Sequence, residues 1–311
     1  MQQTAPELPG IEISKAELIH ARPPKSVTGF SPSGPVQTHQ WGTNRSAFLG
    51  QGMEFAESRI YQPGDDVKNI DWCVTARTGQ AHTKLFQAEW ERPVYLLLDL
   101  RSMMQFGSRV RFKSHLAAEI AAQLAWVGHD GGDRIGALIL GRQKTHSFKS
   151  ARTRASVLQF LDAVSSETRP QAEPAGPVSE EPSLSDGLRR LRQICRPGSM
   201  VFVISDFADL DDACERELKY LAGRTHIVSI QVSDPLDSAL PASAGRISNG
   251  RETLQLNSLR RGVLEDYASA FAYRSARLKK LSIQHSMVLH QISTPESPKT
   301  LLRPRLARSD T

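Results

Sequence analysis

Cysteine is scarce in this sequence. Three occur in 311 residues, at 73, 195 and 214, too scattered for a metal-ligand spacing or a disulfide framework. That usage fits a reducing compartment, and we expect a cytoplasmic protein. Long apolar runs are also missing. "VYLLLDL" is cut by Asp99, and "LAAEIAAQLAW" by Glu119 and Gln123, so neither reaches the roughly 20 residues a membrane helix needs. The opening "MQQTAPELPG" lacks the charged-then-apolar pattern of a signal peptide. Nor is there a basic block: the net charge of +6 and pI near 9.3 describe a mildly basic surface without a nucleic-acid arm. The arginines of "RRLRQICR" read as a solvated face opposite Leu184, Leu188 and Leu191. Nucleic acid is disfavoured as a partner.

Several catalytic signatures are missing as well. No Gly-rich turn follows the first long apolar strand, where the chain reads "RSMMQFGS", and there is no Walker A loop. Arg101 stands where a haloacid-dehalogenase-type phosphatase would need a second aspartate. No Gly-x-Ser-x-Gly elbow is present. His129, His226, His285 and His290 have no zinc-like spacing.

What is present is an alternation of strands and helices. "PVYLLLDL" (93–100) is a nearly continuous apolar run, as a strand buried on both faces should be. The helix that follows carries Leu116, Ile120, Leu124 and Val127 on one face and ends at Gly131-Gly132. Strands are expected at "DRIGALIL", "KTHSFK", "SMVFVISDF", "THIVSIQVSD", "RETLQLN" and "SMVLHQI". Helices are expected at "RASVLQFLDAVS", 183–196, "DDACERELKYLAG" and 259–282, the last with Val263, Tyr267, Phe271, Leu278 and Leu281 on its apolar face. This pattern predicts a doubly wound, mostly parallel α/β sheet over 93–294. Before it lies an irregular, partly β segment, 1–92, expected to pack on the sheet domain. The Pro-rich stretch 165–182 is expected as a flexible loop, and 295–311 as a basic tail.

Two expected strands end in aspartates, Asp99 and Asp206, at the carboxyl tips where such sheets place their sites. A von Willebrand factor A-like domain builds its metal site there, from Asp-x-Ser-x-Ser plus a distant aspartate. The hydroxyls and carboxylates give Mg²⁺ hard oxygen ligands. Here the motif reads Asp99-Leu100-Arg101-Ser102-Met103. Arg101 and Met103 stand at the two hydroxyl positions, and Ser102 lies at an odd offset. A degenerate site holding no metal is the expectation, with the Arg101 guanidinium close to Asp99 and Asp206 and suited to bridging two carboxylates.

The segment "YQPGDDVKNIDWCVTAR" sets three aspartates around a Pro-Gly turn. Pro63-Gly64 suits a tight turn, Asp65 or Asp66 could cap the next helical piece, Asp71 could pair with Arg77 or Lys84, and Trp72 is a large apolar residue expected to be buried. Tyr61, Pro63, Gly64, Asp65, Asp66, Ile70, Asp71, Trp72, Ala76, Arg77, Lys84, Phe86 and Arg92 together resemble the hallmark of domain-of-unknown-function family 58. The resemblance implies a von Willebrand A-like fold. It further implies a non-enzymatic adaptor or scaffold that partners a MoxR-type AAA+ ATPase acting on a client protein, with no cofactor and no catalytic residues. The alternative is a metal-dependent hydrolase or nuclease using Asp99, Asp206 and the Asp65–Asp71 cluster.

Overall fold

The computed structural model describes residues 9–24, 54–87, 93–170, 181–241, 245–248, 253–256 and 261–301. The chain divides into two compact units, Gly34–Glu91 and a larger one formed by Met1–Ser33 with Arg92–Thr311.

In the smaller unit, strands β1 (Glu54–Ile60) and β2 (His82–Gln87) pair antiparallel, with a register shift between Phe55 and Glu57. The connection between them carries a 3-10 turn (Val67–Asn69) and helix α2 (Trp72–Thr78). Its backbone follows from its residue types. Gly64 sits at φ +111° after Pro63, and Gly79 at φ +74° closes α2; a side chain at either position would be strained.

The larger unit begins with helix α1 (Lys15–His20), capped by a reciprocal Ser14–Glu17 box. Its sheet contains β3 (Val94–Asp99), β4 (Ile135–Leu140), β5 (Thr145–Ala151), β6 (Met200–Ser205), β7 (His226–Ser233) and β10 (Val288–Ser293). The spatial order is β5-β4-β3-β6-β7-β10, all parallel except the antiparallel edge strand β5. Numbered along the chain, that is 3-2-1-4-5-6. This doubly wound order puts the switch point, where the winding reverses, between β3 and β6. The architecture is the von Willebrand A-like α/β fold implied by the sequence resemblance. A short hairpin, β8 (Arg246–Ser248) with β9 (Thr253–Gln255), stands outside the sheet.

Every residue of β3 and β4 is buried, because helices cover both faces. Leu96, Leu98, Ala137, Ile139, Phe202 and Ile204 join a core with α1, α3 (Lys113–Asp130) and α4 (Arg154–Thr168). Their neighbours Tyr95, Leu97, Leu138, Val201 and Val203 join a second core with α5 (Leu184–Ile194), α6 (Asp212–Ala222) and α8 (Arg261–Gln284). This is strand alternation applied to a sheet with two covered faces. Trp126 on α3 is fully buried and donates its indole N–H to the Leu18 carbonyl at 3.1 Å, fastening α1 to the sheet unit.

Three expectations need adjustment. Residues 165–168 form the last turn of α4 rather than the start of a loop, with Val164 and Thr168 buried; residues 171–180 lie outside the described residues. On α8 only the C-terminal half is core: Leu278 and Leu281 are buried, whereas Val263 and Tyr267 are exposed. Of the expected basic tail, Pro298–Leu301 form a 3-10 turn with Leu301 against the core; residues 302–311 lie outside the described residues.

Candidate functional site at the switch point

Asp99 closes β3 and is almost wholly buried, at 1% exposure. Two residues later the chain turns back, and the Arg101 guanidinium grips the same carboxylate. Nε lies 2.9 Å from Oδ1 and Nη2 2.7 Å from Oδ2. The other edge of the guanidinium grips Asp209 in a second fork, at 2.6 Å from Nη1 and 2.9 Å from Nη2. Nη1 also donates to the Pro182 carbonyl at 3.2 Å. Arg101 is itself buried, so its fork satisfies two carboxylates in a setting of reduced screening. Burial alone would lower its pKa, but Asp99 and Asp209 outweigh that and raise it well above the usual arginine value. Asp209 is held below the ordinary carboxylate range: burial opposes the charge, while Arg101 and the Leu184 N–H favour it.

A second cation lies at the start of α3. Lys113 occupies the first helical position, where the helix dipole disfavours positive charge. Its side chain is 2% exposed, with Nζ 2.8 Å from Asp206 and 3.2 Å from Asp237. Burial pushes its pKa down, and the two carboxylates override this and raise it. Asp237 belongs to the one-turn helix α7 (Pro235–Ser238), whose cap Asp234 also accepts hydrogen bonds from the Ser108 N–H and the Thr294 hydroxyl.

Carboxylates outnumber cations here, so neutral donors must carry the excess charge. Asp99 accepts from the Ser205 hydroxyl at 2.7 Å and the Arg101 N–H at 3.1 Å. Asp206 accepts from the Ala208 N–H, and Asp209 from the Leu184 N–H, each at 3.0 Å. Phe207, between these aspartates, takes a left-handed φ of +53° with its side chain buried. Non-glycine residues in that region are strained, and such strain persists where surrounding contacts over-determine it.

The arrangement corrects the expected pairing. Arg101 bridges Asp99 to Asp209, while Asp206 belongs to Lys113. Neither Asp209 nor Lys113 stands out in the sequence, because a lysine on the first turn of a helix is ordinarily exposed and only the fold buries this one. The remaining motif positions diverge. Ser102 donates its N–H and its hydroxyl to Glu181, and Met103 is 57% exposed.

A divalent ion of the kind the fold implies does not fit these residues. Both Asp99 oxygens are taken by Arg101, the Ser102 hydroxyl is turned to Glu181, and a thioether is a poor magnesium ligand. Among the described residues, no three His, Cys, Asp or Glu side chains are grouped to hold a metal.

In the smaller unit the three aspartates are taken by local donors. Asp65 accepts from Arg59 at 2.7 Å and the Gln62 N–H at 2.9 Å. Asp66 caps the 3-10 turn through the Lys68 N–H. Asp71 caps α2 through the Cys73 and Val74 N–H groups and also accepts the Ser58 hydroxyl at 3.0 Å. Those bonds, the Val74 N–H first, lower its pKa; Lys84 adds only a through-space charge, and Arg77 is exposed. Tyr61 joins the turn through its backbone N–H to the Ala81 carbonyl. Trp72 is 68% exposed, which corrects the expectation of a buried ring.

The model of the family described as "Protein of unknown function DUF58" matches residues 57–277. The chain belongs to the DUF58 family. Uncharacterized proteins of Mycobacterium bovis and Mycobacterium tuberculosis are each 35% identical to it over 200 residues, 64% of this chain and 61% of theirs. The DUF58 chain thus spans less than two thirds of these curated relatives. Among solved structures, the VWA domain of SpRpn10 is 13% identical, covering 68% of this chain and 93% of that one at a TM-score of 0.36. A von Willebrand factor type A protein from Catenulispora acidiphila is 11% identical, covering 71% and 41% at the same TM-score of 0.36. Likeness at that level adds nothing to the fold read from the strand order.

Proposed function

We propose that this DUF58 chain is a non-enzymatic protein-interaction module, a cytoplasmic adaptor for a MoxR-type AAA+ ATPase in the assembly, maturation or stress response of a client protein. The ATPase and client enter from the family resemblance; the non-enzymatic reading rests on the site. One observation carries it: the carboxylates at the switch point are already paired from within, Asp99 and Asp209 with Arg101 and Asp206 with Lys113. A hydrolase of the two-metal kind needs several carboxylates free to share cations beside a vacant pocket. Here the corresponding oxygens are committed to a guanidinium, an ammonium and backbone N–H groups. Arg101 and Lys113 serve as resident cations in a degenerate metal site, so partner engagement is independent of divalent metal. The local capping of Asp65, Asp66 and Asp71 supports a structural role for the hallmark segment, and its exposed Trp72 supports a partner-facing one. No helix among the described residues is long and apolar enough to cross a membrane.

Affinity capture from the native host tests the partner: an AAA+ ATPase should co-purify, and repeated recovery without one would refute the adaptor reading. Calorimetry tests the site. Mg²⁺ should neither bind the purified chain nor raise its Tm, whereas binding abolished by Asp99→Ala would overturn the resident-cation reading.

A further inference from the structure

Helix α8 presents one row of residues to solvent along most of its length. Asp266, Ser269, Tyr273, Ala276, Lys280 and Ile283 follow alternating steps of three and four, so they share a single stripe of the helix. Every one of them is exposed, Tyr273 at 68% and Ile283 at 72%. Leu278 and Ser282, on the opposite side, are the ones turned to the core. At the middle of the stripe a tyrosine stands between a serine and an alanine, small neighbours that let a second helix come close. Beside the stripe, a groove separates α8 from α6. Tyr273, Arg277 and Lys280 line one wall, and Asp212 and Glu215 the other. Arg277 is engaged across that groove by Asp212 and Glu215. Asp266 and Lys280 have no ion-pair partner among the described residues.

We propose that this stripe of α8 is a twofold interface with a second copy of the same chain, the two helices running antiparallel across Tyr273. The charge layout selects that occupant. Asp266 lies seven residues before Tyr273 and Lys280 seven after, about two helical turns or 10 Å each way. In an isologous contact, a residue on one side of the dyad meets the residue equally far on the other side. Asp266 of each copy then faces Lys280 of the other, and two ion pairs flank a contact between the two Tyr273 rings. A parallel pairing would set Asp266 against Asp266 and Lys280 against Lys280, so the same residues reject it. An unrelated helix would need the matching layout by coincidence, whereas a second copy carries it by construction. The helix dipole also favours acids near the start of α8 and bases near its end. It accounts for the charges, but not for an exposed tyrosine at their midpoint. Exposed ion pairs are individually weak, so burial of the rings supplies the affinity while the charges fix direction and register. The dimer is therefore weak and depends on concentration.

Sedimentation velocity on the full chain, from micromolar to submillimolar concentration, tests it. The wild type should pass from monomer to dimer, and added salt should weaken the passage. Tyr273→Ser should weaken association at least about tenfold by removing the central ring. Asp266→Lys should weaken it by at least about as much, since both ion pairs become repulsions. Joining Asp266→Lys to Lys280→Asp restores opposite charges across the dyad and should recover association. A role confined to the helix dipole predicts the reverse: the doubly reversed helix would be worse than either single, with no dependence on concentration. All these positions are exposed, so each variant should keep the fold, which circular dichroism checks. A wild type that stays monomeric over the whole range would overturn the proposal. So would a dimer that Tyr273→Ser and Asp266→Lys leave intact, or one that the double reversal fails to rescue. None of these outcomes bears on the adaptor reading, whose capture experiment looks for a different partner.

Discussion

The two units of this protein both hold aspartates in groups, and they hold them in opposite ways. In the hairpin unit, Asp65, Asp66 and Asp71 are satisfied mostly by partners close in sequence: N–H groups two or three residues away and a nearby hydroxyl or arginine. In the sheet unit, Asp209 and Asp206 are satisfied by cations 108 and 93 residues away. Burial alone does not set the difference: Asp71 is as buried as Asp206, at 7% and 9%, yet is satisfied by two N–H groups and a hydroxyl. A carboxylate withdrawn from water needs an opposite charge or a dense set of hydrogen bonds, and the local turn supplies the second where the sheet unit supplies the first. Grouped carboxylates therefore do not by themselves announce a metal site; what neutralises them decides what they can do. The two tryptophans among the described residues divide by burial, with Trp126 fully buried and Trp72 mostly exposed.

The largest effect should come from breaking the sheet unit's network. Arg101→Ala leaves Asp99 and Asp209 facing each other without a cation, at a cost of about 3–5 kcal/mol as for other broken buried pairs. Denaturant unfolding measures it. Arg101→Lys should recover only part, since an ammonium cannot grip two carboxylates bidentately; full recovery would mean that the fork geometry is irrelevant.

The same contrast can be drawn out by pH. Lys113 has a raised pKa in the folded state, so its contribution is complete below the unfolded lysine value of about 10.4 and is lost as pH rises through the folded one. Asp209 has a lowered pKa, so its contribution is present above the unfolded aspartate value of about 3.9 and is lost as pH falls through the folded one. Thermal melts across both windows should lose an alkaline destabilisation in Lys113→Met and an acid one in Asp209→Asn. Unchanged alkaline and acid limbs in these variants would place the titrating groups elsewhere.

A smaller effect is expected where a carboxylate only caps. Asp211 caps α6 through the Cys214 N–H at 2.7 Å, and Asp211→Ala should cost about 1 kcal/mol in the same unfolding experiment. The smallest should be Trp72→Ala, within about 0.5 kcal/mol for an exposed side chain clear of a special backbone position. A large loss of stability there would show that the ring is structural after all, and would break the comparison between the two tryptophans.

Much of the fold was legible because its signals are local. A continuous apolar run bounded by turns, as at 93–100, can be little else than a strand covered on both faces. The Pro-Gly turn and the capping aspartates of 63–71 act within a few residues of themselves. The misreadings arose where the environment, rather than the residue, decided the outcome. The apolar spacing of Val263 and Tyr267 continues the α8 pattern, yet that half of the helix stays exposed. Trp72 looked buried because indoles usually are, and in this structure it is not.

The sequence by itself determined the alternation of elements, the two aspartates at strand ends, and the loss of both serine positions to Arg101 and Met103. Those follow from residue type and short-range spacing, which survive without a third dimension. Only the tertiary structure decided that Arg101 would meet Asp209 instead of Asp206, that Lys113 would be buried against Asp206 and Asp237, and that Glu181 would rest on Ser102. Those pairings join residues 79 to 124 positions apart. They are set by which strand tips the doubly wound order brings side by side, and side-chain chemistry alone, offering every aspartate to every cation, cannot choose among them.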